Sequence, residues 1–437
     1  MTTAAKSPGG AERLALLGGP KTVTAEAPKW PRFLPGDIEA GKRALEKAGE
    51  DSTYVSGWFG GEPIEAVERD FAEYIGVEHA VTSNSGTSAI HVALMAAGVK
   101  AGDEVIVTPY TYGQTVSPIL QCFAIPVFAD IEPDTFNLDA DAVEARITGR
   151  TRAILVVHMF GGPARMERLM EVAKRHGVAL IEDCAQAAGT RYHGRRVGSL
   201  AHLGAFSVGD GKNLTAGEGG FVTTDDRNLF EQVMLYGQHY ARQGNHIETE
   251  ALRRWIDSYG YTYRMTPLSA VITRSQLPQL EGMNQMRRRN ALHLCNQLEA
   301  VRGVEPTTII DGAEHIFHFM PLTYRAEELD GLSRRTFMEA LRAEGVGISA
   351  YVQEPIYMKP RYQEKEYFFG SNMPWSLADR QISYGTGDCP VTERRCAEEE
   401  MNLGSSGWYE DCTELMDQIA AAFRKVAGNV EALKAIS

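Results

Sequence analysis

The stretch Gly204-Ala-Phe-Ser-Val-Gly-Asp-Gly-Lys-Asn-Leu-Thr-Ala-Gly-Glu-Gly-Gly220 places one lysine, Lys212, in a turn built from small residues, with Ser207 just upstream. A lysine held by a rigid, glycine-rich backbone is a poor solubility device and a good covalent anchor. Its amine forms a Schiff base with a carbonyl once its pKa is lowered. Upstream, Ile181-Glu-Asp-Cys-Ala-Gln186 reads as the end of a buried strand carrying a carboxylate, Asp183. A Schiff-base lysine with an aspartate partner for a pyridinium nitrogen is what a pyridoxal 5'-phosphate (PLP) site needs. Read alone, Lys212 is equally a surface turn lysine. Gly-x-Gly-Lys also suggests a nucleotide phosphate loop, but that pattern requires Gly where Phe206 stands and Ser or Thr where Asn213 stands.

Working back from this stretch, residues 79–182 alternate short apolar runs with amphipathic segments. Ala80-Val-Thr82, Val105-Ile-Val107, Pro126-Val-Phe-Ala129, Ala153-Ile-Leu-Val-Val157 and Val178-Ala-Leu-Ile181 read as strands. The intervals 87–98, 113–123, 139–147 and 164–176 read as helices. This alternation predicts an α/β fold with a mostly parallel sheet, and near-continuous Val/Ile runs fit strands covered on both faces. Ligands of such sheets bind at the carboxyl ends of the strands, where each motif discussed here falls. Beyond residue 300 the pattern changes. Strand-like pieces at 315–320 and 348–351 and helices near 334–344 and 409–427 predict a smaller α+β domain. The helical segment 266–301 bridges the two, with Arg287-Arg-Arg289 read as its solvated face. The expected division is an N-terminal arm over 1–30, frayed to about residue 12, a large domain over 31–285 and a small one over 286–437.

Composition narrows the functional classes. The chain has 437 residues, a formal net charge of −13 and 43% hydrophobic residues, which suits a globular enzyme and argues against nucleic acid or an anionic membrane as partner. An anionic cofactor remains compatible, because backbone N–H groups and hydroxyls bind phosphate locally. The six cysteines, Cys122, Cys184, Cys295, Cys389, Cys396 and Cys412, form no Cys-x-x-Cys pair, so no zinc ribbon or redox dithiol is signalled and no metal is expected. With no signal-peptide pattern and no apolar run of membrane-spanning length, a reduced, cytoplasmic location is expected.

Ser83-Asn-Ser-Gly-Thr-Ser-Ala89 follows the first strand and opens a helix. It reads as an ordinary Ser/Thr cap or, beside Lys212 and Asp183, as a phosphate cup built from a helix N-terminus and hydroxyls. Thr108-Pro-Tyr-Thr-Tyr112 ends the next strand, and Tyr112 is the ring chosen to stack on a flat cofactor, against core packing as the plainer reading. His158 ends a further strand and reads as a satisfied, half-buried histidine.

These motifs together resemble the DegT/StrS-type sugar aminotransferases, fold type I PLP enzymes. The resemblance runs in order through Ser85-Gly-Thr-Ser-Ala89, Gly102-Asp-Glu-Val-Ile-Val107, Phe128-Ala-Asp-Ile131, Glu182-Asp-Cys-Ala-Gln-Ala187, Phe206-Ser207, Lys212 with Gly217-Glu-Gly-Gly220, Tyr263-Arg-Met265 and Cys389-Pro390. It implies a large PLP-binding domain with a seven-stranded-type sheet, a smaller C-terminal domain and a homodimer with its site at the two-fold interface. It further implies PLP held as an internal aldimine on Lys212, which also shuttles the proton, with Asp183 on the pyridine nitrogen and Gln186 beside the ring or its hydroxyl. Gly86, Thr87, Ser88 and Ser207 are implied phosphate ligands, and Tyr112 the stacking ring. Where the family has an asparagine that reaches the neighbouring subunit's phosphate, this chain has Thr262.

Within that family the chain resembles the longer members that aminate keto-cyclitols, which implies glutamine or glutamate as amino donor and a place in secondary metabolism such as aminoglycoside-type antibiotic biosynthesis. Two other readings stand beside it. One is a dehydratase or aromatising enzyme on the same scaffold, against whose dehydratase form Lys212 argues, since those relatives carry histidine there. The other is a regulatory relative that binds PLP without turnover.

Overall fold

The structure, a computed structural model, describes residues 12–55, 58–258, 260–367 and 370–436. The first eleven residues of the expected N-terminal arm lie outside the described residues. The runs read as strands form β1 (His79–Ser83), β2 (Glu104–Val107), β3 (Ile125–Phe128), β4 (Thr151–Val157) and β5 (Ala179–Asp183), followed by β6 (Leu203–Ser207) and β7 (Gly220–Thr224). They make one seven-stranded sheet in the order β1-β7-β6-β5-β4-β2-β3. Neighbours from β3 to β6 pair in parallel, whereas β7 is antiparallel to both β6 and β1. The reason is local. The connections before β6 have room for crossovers, but the segment between β6 and β7 contains no helix, so the chain turns straight back. That turn carries Lys212.

Strands β2 and β3 are buried along their whole length, as their apolar residues demand, and the one charge, Glu104, is paired with Thr148 and Arg380. Helix α1 (Pro35–Glu50) packs on the long helix over 267–298, whereas α2 (Gly61–Ile75), α3 (Gly86–Ala96), α4 (Gly113–Gln121), α5 (Ala140–Arg146), α6 (Met166–His176) and α7 (Arg227–Gly237) cover the sheet. This is the expected α/β architecture.

A second, antiparallel sheet combines β8 (Val304–Glu305), β9 (Phe319–Tyr324), β10 (Ile348–Ser349) and β11 (Glu400–Gly404) in the order β8-β9-β11-β10. The strand expected over 315–320 starts later, because residues 316–318 hydrogen-bond to Phe160 and Gly161 of the large domain instead. Helix α8 (Pro267–Leu298) contributes Ala270, Leu277 and Leu280 to one core and Ala291, Leu294 and Leu298 to the other, so the expected 285/286 division falls inside it. Its position between two cores also overturns one expectation. Arg287 is fully buried. Its guanidinium lies 5.0 Å from the Trp30 ring centroid and 5.7 Å from that of Tyr409, and it donates to the Ser406 carbonyl. Arg289 alone of the triplet is exposed. Helix α9 (Arg334–Ala343) and helix α10 (Thr413–Ala427) complete the second core.

Candidate active site

The candidate side chains gather at the carboxyl ends of β1, β2, β4, β5 and β6. At the end of β1, Ser85 caps α3 through a reciprocal pair. Its hydroxyl accepts from Ser88 N–H at 3.1 Å, while Ser85 N–H donates to the Ser88 hydroxyl at 3.1 Å. The Ser88 hydroxyl also lies 2.6 Å from Asn84 Oδ1 and 2.7 Å from the Ser83 hydroxyl, so it is engaged within its own loop. The N–H groups of Gly86 and Thr87 and the Thr87 hydroxyl have no hydrogen-bond partner among the described residues. Ser207 closes the cup from β6. A Cβ on Gly86 would lie 2.8 Å from Ser207 Cβ, so only glycine allows this approach. The result is a helix N-terminus with free donors and a positive dipole end facing a serine.

Asp183 ends β5 and is buried. Its Oδ2 accepts from the Thr115 hydroxyl at 2.8 Å and its Oδ1 from Ala185 N–H at 3.0 Å. Thr115 in turn lies 3.0 Å from the Thr111 hydroxyl, which supplies its second hydrogen bond. Burial pushes the Asp183 carboxyl above the usual carboxylate range, opposed by these two donors and by the charge of Lys212. A buried carboxylate with spare lone pairs is suited to a cationic N–H donor.

Lys212 is partly buried, and burial pushes its amine below the usual lysine range, against the pull of Asp183. That side-chain amine has no hydrogen-bond partner among the described residues. Its backbone is held by Gly209 O and by the indole of Trp30, whose Nε1–H donates to Lys212 O at 2.9 Å.

Gln186 is buried with both ends of its amide engaged: Oε1 accepts from Phe160 N–H at 2.8 Å, and Nε2 donates to the Tyr351 hydroxyl at 2.8 Å. Tyr351 follows β10 of the second sheet and feels the charge of Asp183, which puts it beside that carboxyl. Tyr112 stands at the start of α4 with 62% of its surface exposed, open to a planar ligand. His158 is fully buried rather than half-buried. Its Nδ1 accepts from Ala164 N–H, so its Nε2–H donates to Glu182 at 2.9 Å, a satisfied structural pair. Thr262 is exposed and bonds to nothing among the described residues.

Sequence reasoning missed Thr115, Tyr351 and His318. Thr115 lies one helical turn after Thr111, a signal available in the sequence. His318 is buried beside Lys212, and burial, then the charges of Lys212 and Arg287, push its imidazole well below the usual range; two histidines inside the apolar run 315–320 were the only hint. PLP offers a phosphate dianion, a basic ring nitrogen and an aldehyde. The free N–H cup, the buried Asp183 and the unpartnered Lys212 amine match these three features, so the residues present fit the group.

Comparison with known proteins agrees with this chemistry. The sequence profile of the DegT/DnrJ/EryC1/StrS aminotransferase family matches residues 43–388. An L-glutamine:2-deoxy-scyllo-inosose aminotransferase of Streptomyces kanamyceticus is 37% identical over 361 residues, covering 80% of this chain and 82% of its own. An enzyme of the same name from Streptoalloteichus tenebrarius is 36% identical over 396 residues, covering 87% and 90%. The crystal structure of a 3-amino-5-hydroxybenzoic acid synthase superposes with a TM-score of 0.77 at 27% identity, covering 93% of this chain and 99% of that one.

Proposed function

The chain belongs to the DegT/DnrJ/EryC1/StrS aminotransferase family and is a PLP-dependent aminotransferase of sugars or cyclitols; from that premise we propose that it moves the amino group of L-glutamine or L-glutamate onto a keto-cyclitol in secondary metabolism, with Lys212 as the covalent anchor. The observation that carries the reading is the unpartnered Lys212 amine beside the buried Asp183 carboxyl, close enough for each to sense the other's charge. The names of the relatives support the donor and the acceptor class.

When bound, PLP supplies a reactive aldehyde carbon and a ring that takes up electrons from a bond broken beside the amino nitrogen. Each residue's part is argued from its place. Gly86 and Thr87 N–H groups with the Thr87 and Ser207 hydroxyls would bind the phosphate, and Ser88 holds their loop in shape. Tyr112 would cover the ring face and Gln186 would lie beside the ring. Asp183, aimed by Thr115 and Ala185, would keep the ring nitrogen protonated. Lys212, whose amine burial holds below the usual lysine range, would take the α-proton of the amino donor on Nζ and return it.

The lack of a partner at Thr262 and the exposure of Trp58, Phe59, Tyr240 and Tyr261 support a homodimer in which residues 262–265 approach the partner's phosphate cup. Six buried, unpaired cysteines support a reducing, cytoplasmic setting. No helix among the described residues is long and apolar enough to cross a membrane. The likeness to an aromatic amino acid synthase supports a second reading, an aromatising reaction on the same lysine.

Borohydride reduction of the PLP-loaded protein, followed by peptide mass mapping, tests the anchor; the adduct is expected on Lys212, and an adduct on another lysine refutes it. A donor and acceptor screen then separates the two reactions: glutamine with a keto-cyclitol yields an aminocyclitol, whereas aromatisation yields a product absorbing in the ultraviolet. Light scattering reads the oligomeric state, and a monomer that carries a complete site overturns the dimer.

A further inference from the structure

The residue after the anchor, Asn213, is buried and joins a chain of side chains whose orientation is dictated from its far end. Arg287 NH1 donates to Asn284 Oδ1 at 3.0 Å. A guanidinium only donates, so Asn284 faces it with oxygen. At the other end, Asn284 Nδ2 donates at 2.9 Å to the Ala188 carbonyl, which only accepts. Asn284 is therefore fixed from both sides. Its Oδ1 also lies 3.2 Å from the Asn213 amide, which must present Nδ2 there. That turns Asn213 Oδ1 towards His318 Nδ1 at 3.0 Å. An amide oxygen accepts, so Nδ1 carries the hydrogen.

His318 is 5% exposed, and burial together with the positive charges of Lys212 and Arg287 keeps its ring neutral. A neutral ring protonated at Nδ1 has a bare lone pair at Nε2, and this atom has no partner among the described residues. The Nδ1–H form is the less favoured tautomer of imidazole in water, so the protein selects it. Arg287 braces the anchor by a second route, because its guanidinium lies over the ring of Trp30, whose indole N–H holds the Lys212 carbonyl.

We propose that the Arg287–Asn284–Asn213 chain fixes His318 as the Nδ1–H tautomer so that its bare Nε2 accepts a hydrogen bond from the Lys212 amine while that amine carries the transferred proton. A ring carrying its proton on Nε2 would oppose donor to donor, and a charged ring would repel the ammonium form. Arg287, Asn284 and Asn213 are thus positioning residues that act through His318. The role given to Lys212 rests on the proposed function; the tautomer does not.

The experiment therefore reads the tautomer directly. Cofactor-free protein labelled with 15N-histidine is studied by long-range 1H–15N correlation at neutral pH, with His318 assigned from the His318→Gln spectrum. The wild type is expected to show His318 neutral and protonated at Nδ1. Asn213→Leu and, as a second variant should the first not fold, Asn284→Leu are expected to shift His318 towards the Nε2–H form. In the PLP-loaded enzyme the same variants are expected to lose on the order of 10²-fold in kcat, with a far smaller change in KM. An Nε2–H or charged His318 in the wild type overturns the proposal, as does unchanged kcat in a folded variant whose tautomer has shifted. A borohydride adduct on a different lysine removes the role of Lys212 and is recognised separately by mass spectrometry.

Discussion

Two carboxylates stand side by side on β5 and meet opposite environments. Glu182 faces the interior behind the site, where it accepts from the N–H groups of Gly198, Leu200 and Ala201 and from His158. Asp183 faces Lys212, whose amine it senses, and accepts from Ala185 N–H and the Thr115 hydroxyl. Both are buried. Glu182 has its hydrogen-bonding capacity filled and acts as a structural strut for the loop that carries residues 198–201. Asp183 keeps capacity in reserve and is set for a cationic ligand. Saturation of lone pairs, more than burial, separates a carboxylate that holds the fold from one that does chemistry.

The test with the largest effect removes the group that Asp183 faces. Lys212→Ala is expected to lower transamination by about 10⁴-fold or more, the upper range for loss of a positioned proton carrier, with thermal melting little changed. Substantial turnover in this variant would refute the contrast at its source. Asp183→Asn comes next. Loss of a charge-assisted hydrogen bond costs about 1.5–3 kcal/mol, so the dissociation constant for PLP, measured by fluorescence titration, should rise by about ten- to a hundredfold, and the half-reaction should slow more. Near-normal binding and rate would show that Asp183 is as structural as its neighbour.

The same substitution has a pH signature. Burial holds the Asp183 carboxyl above its ordinary value in the cofactor-free protein, so the folded state binds that proton more tightly than the unfolded chain. Its contribution to stability is fully present below the ordinary Asp value and is lost as pH rises through the raised one. Asp183→Asn should flatten this part of the stability–pH curve measured by denaturant titration. An identical slope in variant and wild type argues against the raised value.

Glu182→Gln should do the reverse of Asp183→Asn. Stability should fall by about 1–3 kcal/mol because one of several donors loses its acceptor, while affinity for PLP stays within error. A large loss of affinity without loss of stability would reverse the two roles. The smallest effect is expected for Thr115→Val, which removes one donor from Asp183 at about 1 kcal/mol. Binding of PLP should weaken by about fivefold, and the effect should vanish in an Asp183→Asn background if the two act as a pair.

Much of this arrangement was legible before any coordinates. The alternation of apolar runs and amphipathic segments over 79–182 announces the sheet, because each element writes its own period into the chain. The glycine-rich turn around Lys212, the carboxylate ending β5 and the Ser-Gly-Thr-Ser helix start are each local features, and their order carries the family resemblance. Where local reading failed, the deciding contact was distant in sequence. Arg287 looks like part of a solvated charge run, yet α8 lies between two cores and Trp30 and Tyr409 close over it. The strand placed over 315–320 begins at Phe319 because the backbone before it is claimed by Phe160 and Gly161.

The α/β class, the lysine proposed as anchor, the carboxylate that ends β5 and the helix start with free N–H groups are all written in local sequence, since each depends on residue types within one turn or one strand end. Packing alone makes Glu182 saturated while Asp183 is not, brings Tyr351 to Gln186 and His318 beside Lys212, and lets a buried arginine set the orientation of Asn213. Hydrogen-bond saturation, desolvation and tautomer choice are properties of groups brought together by packing, and no local stretch of chain contains the partners that fix them.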